Sequence, residues 1–191
     1  ISRFIDILLA FPGLLLAIMV VAVLGNGLQN TIVTNSDPVK LEKYFNNFFD
    51  KIILDAPCSG EGMFRKLDQA VETWSIEKVN ECAYIQRNLI NSAYQMLKDE
   101  GILIYSTCTY SLEENEDQVK YMTNDLQMEL LEIKKQPGMA SGYQNDKVVR
   151  MYPHLNKGEG QFIALLKKHT NGSTKKINFL YLQTVRHYKT A

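Results

Sequence analysis

The chain has 191 residues, 46% of them hydrophobic, and its 21 basic and 21 acidic side chains cancel to a formal charge of zero. That is enough apolar material for one domain with a real core, and the neutral balance excludes a global basic field of the kind that announces nucleic acid. Its three cysteines, Cys58, Cys82 and Cys108, are too widely spaced for a disulfide framework or a paired Cys-x-x-Cys metal site, which fits a reducing compartment and predicts no metal.

In chain order, the first feature is an apolar run from Ile7 to Leu24. At helical rise it can cross most of a bilayer's hydrocarbon layer, at the low end of the spanning range of about 17–25 residues. A secretory signal fits less well, because no small-residue cleavage pattern follows and the flank holds only Arg3 beside Asp6. A buried core element is the soluble alternative, although every face is apolar, which a surface helix would not tolerate. Asn30-Thr31-Ile32-Val33 then reads as a strand, and Asp37 before Pro38 as either a turn residue or a ligand contact.

The apolar run Ile52-Ile53-Leu54 ends in Asp55-Ala56-Pro57-Cys58-Ser59-Gly60, and the apolar run Ile102-Leu103-Ile104-Tyr105 ends in Ser106-Thr107-Cys108-Thr109. Between them, Trp74 to Lys98 places Val79, Ala83, Leu89, Ile90, Ala93 and Leu97 on one helical face, with Gly101 positioned to stop the helix. Strand, crossover helix and strand imply two parallel strands whose ends lie on one side of an α/β sheet, where open sheets gather ligands and chemistry. Two thiols then face one crevice. Cys82, inside the helix, reads as a small buried side chain.

Ser111-Leu112-Glu113-Glu114 has the form of a capping box opening a shorter helix with Val119 and Met122 facing inward. Gln127 to Ile133 alternates as a strand, Lys134 to Asp146 has loop composition, and Gln161 to Leu166 reads as a buried strand. After Glu159 there are no acids, while Lys167, Lys168, Lys175, Lys176, Arg186 and Lys189 accumulate. This tail could meet a phosphate backbone, but Thr170-Asn171-Gly172-Ser173-Thr174 favours a solvated linker. His154 is expected to pack or hydrogen-bond within the sheet.

The two cysteine motifs resemble the Sun-type (NOL/NOP/Sun) RNA cytosine-5 methyltransferases, over about Leu28 to Lys168. Thr34-Asn35-Ser36-Asp37-Pro38, Glu61-Gly62-Met63-Phe64-Arg65-Lys66, Glu113-Glu114-Asn115-Glu116, Arg150-Met151-Tyr152-Pro153-His154 and Gly158-Glu159-Gly160-Gln161-Phe162 follow the family's pattern in order, the second as in the bacterial ribosomal-RNA branch. The resemblance implies an α/β fold, the carboxyl-terminal part of a Rossmann-like methyltransferase sheet with flanking helices. It implies S-adenosylmethionine as methyl donor, RNA as substrate, ribosomal RNA first, and a cytoplasmic site of action. Carbon 5 of cytosine is a poor nucleophile until a thiolate adds to carbon 6, and a second group must then help release the product. By the family's pattern Cys108 is the nucleophile and Cys58 assists release; Asp55 lies near the donor's methionine part and the cytosine amino edge, and Asp37 contacts the adenine. Phe64, Tyr110, Tyr143 and Tyr152 are candidates to hold an unstacked base.

The segment from Arg3-Phe4-Ile5-Asp6 through Ala10-Phe11-Pro12 to Leu24-Gly25-Asn26-Gly27-Leu28 resembles a transmembrane helix of ABC-type peptide or nickel transporter permeases. Residues 1–27 are therefore expected to be a permease-like helix joined to a partial catalytic domain at 28–168, with 169–191 a basic linker or the start of a further domain. Membrane contact would come through residues 7–24 only. The family's glycine-rich donor turn has no counterpart, Gly25-Asn26-Gly27 lying at the join, so this chain alone is expected to bind the donor weakly or not at all and to be inactive by itself. A transporter fragment and a non-catalytic RNA-binding α/β module are the other readings. Oligomeric state is open.

Overall fold

The computed structural model describes residues 31–34, 38–169 and 179–183. The apolar run 7–24, the expected join and Asp37 lie outside the described residues. Among the described residues no helix is long and apolar enough to cross a membrane.

The fold is α/β. Its sheet contains β1 (Thr31–Thr34), β2 (Phe49–Asp55), β3 (Leu97–Thr107), β4 (Glu129–Leu131), β5 (Met139–Gly142), β6 (Asn145–Met151), β7 (Gln161–Lys167) and β8 (Phe179–Gln183), in the order β1-β8-β2-β3-β7-β6-β5, with β4 pairing β7 off this path. The pairs β1·β8, β8·β2 and β2·β3 are parallel, and those on the β7 side are antiparallel. The helices are α1 (Pro38–Glu42), α2 (Asp68–Glu72), α3 (Ile76–Met96) and α4 (Glu116–Asn124).

Strand β2 is apolar without alternation because it is covered on both faces: Ile52, Ile53 and Leu54 are all fully buried. Ile52 and Leu54 belong to the main core with Leu103 and Tyr105, and Ile53 packs with Ile104 in a second cluster. Helix α3 begins at Ser75, whose side chain accepts a hydrogen bond from the Lys78 amide at 3.2 Å, and it buries Val79, Cys82, Gln86, Leu89, Ile90, Ala93 and Met96. Leu89, Ile90, Ala93 and Met96 meet the main core, closing the crossover that makes β2 and β3 parallel.

Four expectations are corrected. The long helix ends at Met96, because Leu97 is already extended and pairs with Phe49, so Gly101 lies within β3. There the chain bulges, one residue of β2, Asp50, facing four of β3, 98–101, with Glu100 at a φ of 62°. The capping box is half formed: Ser111 Oγ accepts from the Glu114 amide at 3.3 Å, but Glu114 turns inward and α4 starts at Glu116. The expected loop 134–146 contains β5 and the start of β6, a hairpin whose two-residue turn Tyr143-Gln144 is tied to α4 by a hydrogen bond from the Tyr143 amide to Glu116 Oε1 at 2.9 Å. The anchor is a long-range contact, invisible in local composition.

The fourth concerns the basic tail. Within 169–191, Phe179–Gln183 form β8 and lie parallel between β1 and β2. Lys167 pairs with Glu100 at 2.5 Å, and Lys168 is buried, with its Nζ donating to Asn47 Oδ1 (3.0 Å), the Tyr94 carbonyl (2.9 Å) and the Leu97 carbonyl (2.8 Å). All three ammonium donors are thus used at the carboxyl end of α3, where a cation also meets the helix dipole favourably. Lys168→Met, which keeps the stem but removes these donors, is expected to destabilise the fold by about 1–3 kcal/mol. Urea unfolding checks this, and an unchanged midpoint would show that the buried ammonium contributes nothing.

Candidate active site

The parallel register sets Asp55 opposite Ser106, and each strand then runs into its cysteine loop. Cys58 follows three residues after Asp55 and Cys108 two residues after Ser106, so their side chains converge: the two Sγ atoms are 2.8 Å apart. Neither cysteine is disulfide-bonded. Either sulfur can donate its proton to the other, and the Cys108 amide also donates to Cys58 Sγ at 3.2 Å. Cys58 is buried and Cys108 partly exposed, so the second is the one a solute reaches. Asp55 accepts a hydrogen bond from Ser106 Oγ at 3.0 Å, which fixes a half-buried carboxylate at the same strand ends. Cys82 lies in α3, buried, as expected.

Buried polar side chains hold the peptide on both sides of each cysteine. Gln86 Nε2 donates to the Pro57 carbonyl (2.8 Å) and to Glu114 Oε2 (2.7 Å), while the Ser59 amide donates to both Glu114 oxygens (3.2 and 3.0 Å). The residues before and after Cys58 are thereby fixed. Asn115 does the same for Cys108, accepting from Thr107 Oγ1 at 2.6 Å and donating to the Thr109 carbonyl at 3.0 Å. Ser59 Oγ and Thr109 Oγ1, 2.8 Å apart, join the two loops directly. The Tyr105 hydroxyl donates to the Glu114 carbonyl at 2.6 Å, seating this network on β3.

Close backbone packing completes the cradle. Gly60 turns the chain at a φ of 86°, and Gly62 then donates from its amide to the Cys108 carbonyl at 2.9 Å, while the Gly160 amide donates to the Gly62 carbonyl at 3.0 Å. A Cβ on Gly62 would meet the Gly160 carbonyl oxygen at 2.7 Å and the Cys108 carbonyl oxygen at 2.9 Å. Glu61 accepts from the Tyr110 amide at 2.8 Å. Arg150, buried, forms a two-pronged pair with Glu116, its Nε 2.9 Å from Oε1, and donates to the Tyr110 carbonyl at 3.0 Å.

Of the aromatic candidates, Tyr110, two residues beyond Cys108, and Tyr152 pack with ring centres 5.3 Å apart and planes tilted by 31°. Phe64 meets Trp74 edge-on at 6.5 Å, and Tyr143 covers the Arg150 guanidinium at 4.7 Å. His154 does not pack into the sheet as expected: it is exposed and stacks on Tyr152. Sequence reasoning also missed Gln86, Glu114 and Asn115. Gln86 left a readable signal, a polar residue in the middle of an otherwise apolar helical stripe. Glu114 and Asn115 sat inside a quoted motif whose three carboxylates gave no sign of which would turn inward.

A family model described as "16S rRNA methyltransferase RsmB/F" matches residues 17–167. The match crosses the boundary expected near Gly27, residues 17–27 falling inside it. The chain is similar to the ribosomal RNA small subunit methyltransferase F of Psychromonas ingrahamii, 39% identical over 150 residues that cover 74% of this chain and 30% of that protein. The enzyme of the same name from Photobacterium profundum is 36% identical over 155 residues, 79% of this chain and 32% of that one. The chain thus spans about a third of the length of the curated relatives it matches. Among solved structures, NSun6 from Pyrococcus horikoshii with SFG superposes with a TM-score of 0.64 at 36% identity, over 76% of this chain and 36% of that one.

Burial raises the Glu114 carboxyl above its ordinary 4.5, against the opposing pull of the hydrogen bonds from Ser59, Gln86 and Ser111. The folded chain therefore holds this proton more tightly than the unfolded chain, and its stability falls as pH rises from 4.5 through the raised value. Glu114→Gln removes that titration. The stability of the native chain minus that of the variant is expected to shrink as pH rises through this window, measured by urea unfolding; a difference that grows with pH would reverse the assignment.

Proposed function

The chain belongs to the 16S rRNA methyltransferase RsmB/F family, and from that premise we propose that it carries the catalytic residues of an S-adenosylmethionine-dependent RNA cytosine-5 methyltransferase acting on small-subunit ribosomal RNA in the cytoplasm. One observation carries this reading: two cysteine sulfurs, from the ends of two parallel strands, in contact at 2.8 Å in a partly open crevice. A structural cysteine pair would sit in the core. Here one member is partly exposed and the surrounding polar side chains fix the peptide on either side of each sulfur.

The residues at these strand ends suit such a donor. Asp55 offers a carboxylate at the crevice to the donor's methionine part and the cytosine amino group, and Asp37, outside the described residues, is assigned to the adenine. The similar NSun6 from Pyrococcus horikoshii was solved with SFG, a donor analogue, which supports S-adenosylmethionine as the methyl donor. When bound, the donor supplies an electrophilic methyl group on a sulfonium.

Cys108, the accessible sulfur, loses its proton and bonds to carbon 6 of the cytosine, which makes carbon 5 electron-rich enough to take the methyl group as the methyl–sulfonium bond breaks. The proton on carbon 5 then leaves to a base, the carbon 6–sulfur bond breaks, and Cys108 departs as thiolate with 5-methylcytosine released. Cys58 lies 2.8 Å from that sulfur, so it can take the proton that thiolate formation releases.

The division of labour predicts different fates for two variants. In a version of the chain extended to the full length of its relatives, given cytosine-containing ribosomal RNA and S-adenosylmethionine, Cys58→Ser is expected to accumulate a covalent RNA–protein adduct on a denaturing gel, and Cys108→Ser to form none. An adduct that persists in the Cys58→Ser, Cys108→Ser double variant, or one formed by Cys108→Ser alone, would overturn the assignment.

A further inference from the structure

A row of three flat rings leaves the site next to Cys108. Tyr110 is innermost, Tyr152 lies against it with centres 5.3 Å apart and planes at 31°, and His154 stacks on Tyr152 at 5.5 Å and 28°. The inner ring is rigidly held: its amide is bonded to Glu61, its carbonyl to Arg150, and a Cβ on Gly160 would lie 1.9 Å from its hydroxyl oxygen. That hydroxyl is buried and has no hydrogen-bond partner among the described residues. The outer ring, His154, is exposed. The row borders a groove of about 370 Å3 whose lining also includes Gly62 and Arg65.

The chemistry of that groove is specific. Gly62 is bonded to the Cys108 carbonyl, so the groove begins one peptide from the reacting sulfur. The exposed Arg65 donates to the Pro153 carbonyl at 3.3 Å, which brings its guanidinium to the peptide that joins Tyr152 to His154. Flat faces with a cation at their edge match one nucleotide of a single strand, its base stacking and its phosphate meeting the guanidinium. A cytosine bonded to Cys108 must be unstacked from its neighbours, and the neighbour then exposes a base face of its own.

We propose that the exposed His154 ring, backed by Tyr152, stacks the base of the nucleotide adjoining the target cytosine, and that Arg65 binds a backbone phosphate there. The inference rests on the reading of the chain as an RNA cytosine methyltransferase and adds a subsite to it. Tyr110 is the fixed back wall of that subsite. On the groove's other wall Glu61 Oε2 is already used within the protein, accepting from the Tyr110 amide and from Thr109 Oγ1, and the flat ring faces carry the contact by stacking.

The test uses this chain and a labelled single-stranded RNA with one cytosine, against the same RNA made abasic on either side of that cytosine, by fluorescence anisotropy. The native chain is expected to bind the intact RNA roughly 5- to 100-fold more tightly than one of the abasic forms, the effect of one stacked base. Tyr152→Ala and His154→Ala are expected to lose that discrimination, and Tyr152→Phe to keep it; because His154 is exposed, its variant does not put folding in question. Arg65→Gln should weaken intact and abasic RNA alike and lower the slope of log affinity against log salt by about 0.7. Equal binding of intact and abasic RNA by the native chain, no RNA binding at all, or full discrimination in both alanine variants would overturn the subsite. The readout uses neither the Cys108 thiol nor the methyl donor, so failure to form the covalent adduct would leave this result standing, and loss of the subsite would leave the adduct test intact.

Discussion

The parallel pairing of β2 and β3, with Asp55 opposite Ser106, brings two short loops to the same end of the sheet. A strand pair alone places the loops side by side, within several ångströms. Bringing two sulfurs to 2.8 Å takes the further polar frame in which Gln86 and Glu114 hold the peptides around Cys58 and Asn115 holds those around Cys108. Remove the register and the loops no longer meet; remove the frame and they meet loosely.

That frame is expensive to bury and specific when complete. Glu114, Gln86 and Asn115 are all fully buried, and a buried polar group stabilises only when its partners are in place. Two nearby carboxylates take opposite solutions. Glu114 is met by neutral donors, so burial raises its proton affinity, whereas Glu116 is met by the Arg150 guanidinium in a two-pronged pair. The first fixes the cysteine loops, and the second anchors the β5–β6 hairpin and the carbonyl of Tyr110. Consecutive residues of one short segment, Glu114 to Glu116, thus hold the two sulfurs on one side and the ring row on the other.

The strands and helix that present the cysteines were legible because they depend on local pattern: continuous apolar runs for β2 and β3, and a helical stripe for α3. The contact between Cys58 and Cys108 was readable in outline from topology, since a right-handed crossover leaves parallel strand ends together. What escaped depends on distant partners. The hairpin at 139–151 hangs on Glu116 and Arg150, Lys168 is buried by the carboxyl end of α3 and by Asn47, and β8 finds its neighbours far away in sequence. Composition reads such residues as loop or basic tail, because nothing within a few positions marks where their partners lie. Ser111 and Glu114 show the same failure at short range: the spacing of a capping box was present, but a buried amide at Ser59 claimed the carboxylate.

The central claim is that Cys58 and Cys108, and no other cysteine pair, share one point in space. Mild oxidation of the folded chain followed by peptide mass mapping tests it most directly. A dominant linked peptide joining position 58 to position 108, with Cys82 left unmodified, is the predicted result. Linkage of either residue to Cys82, or full and independent alkylation of both thiols with no link formed, would contradict it.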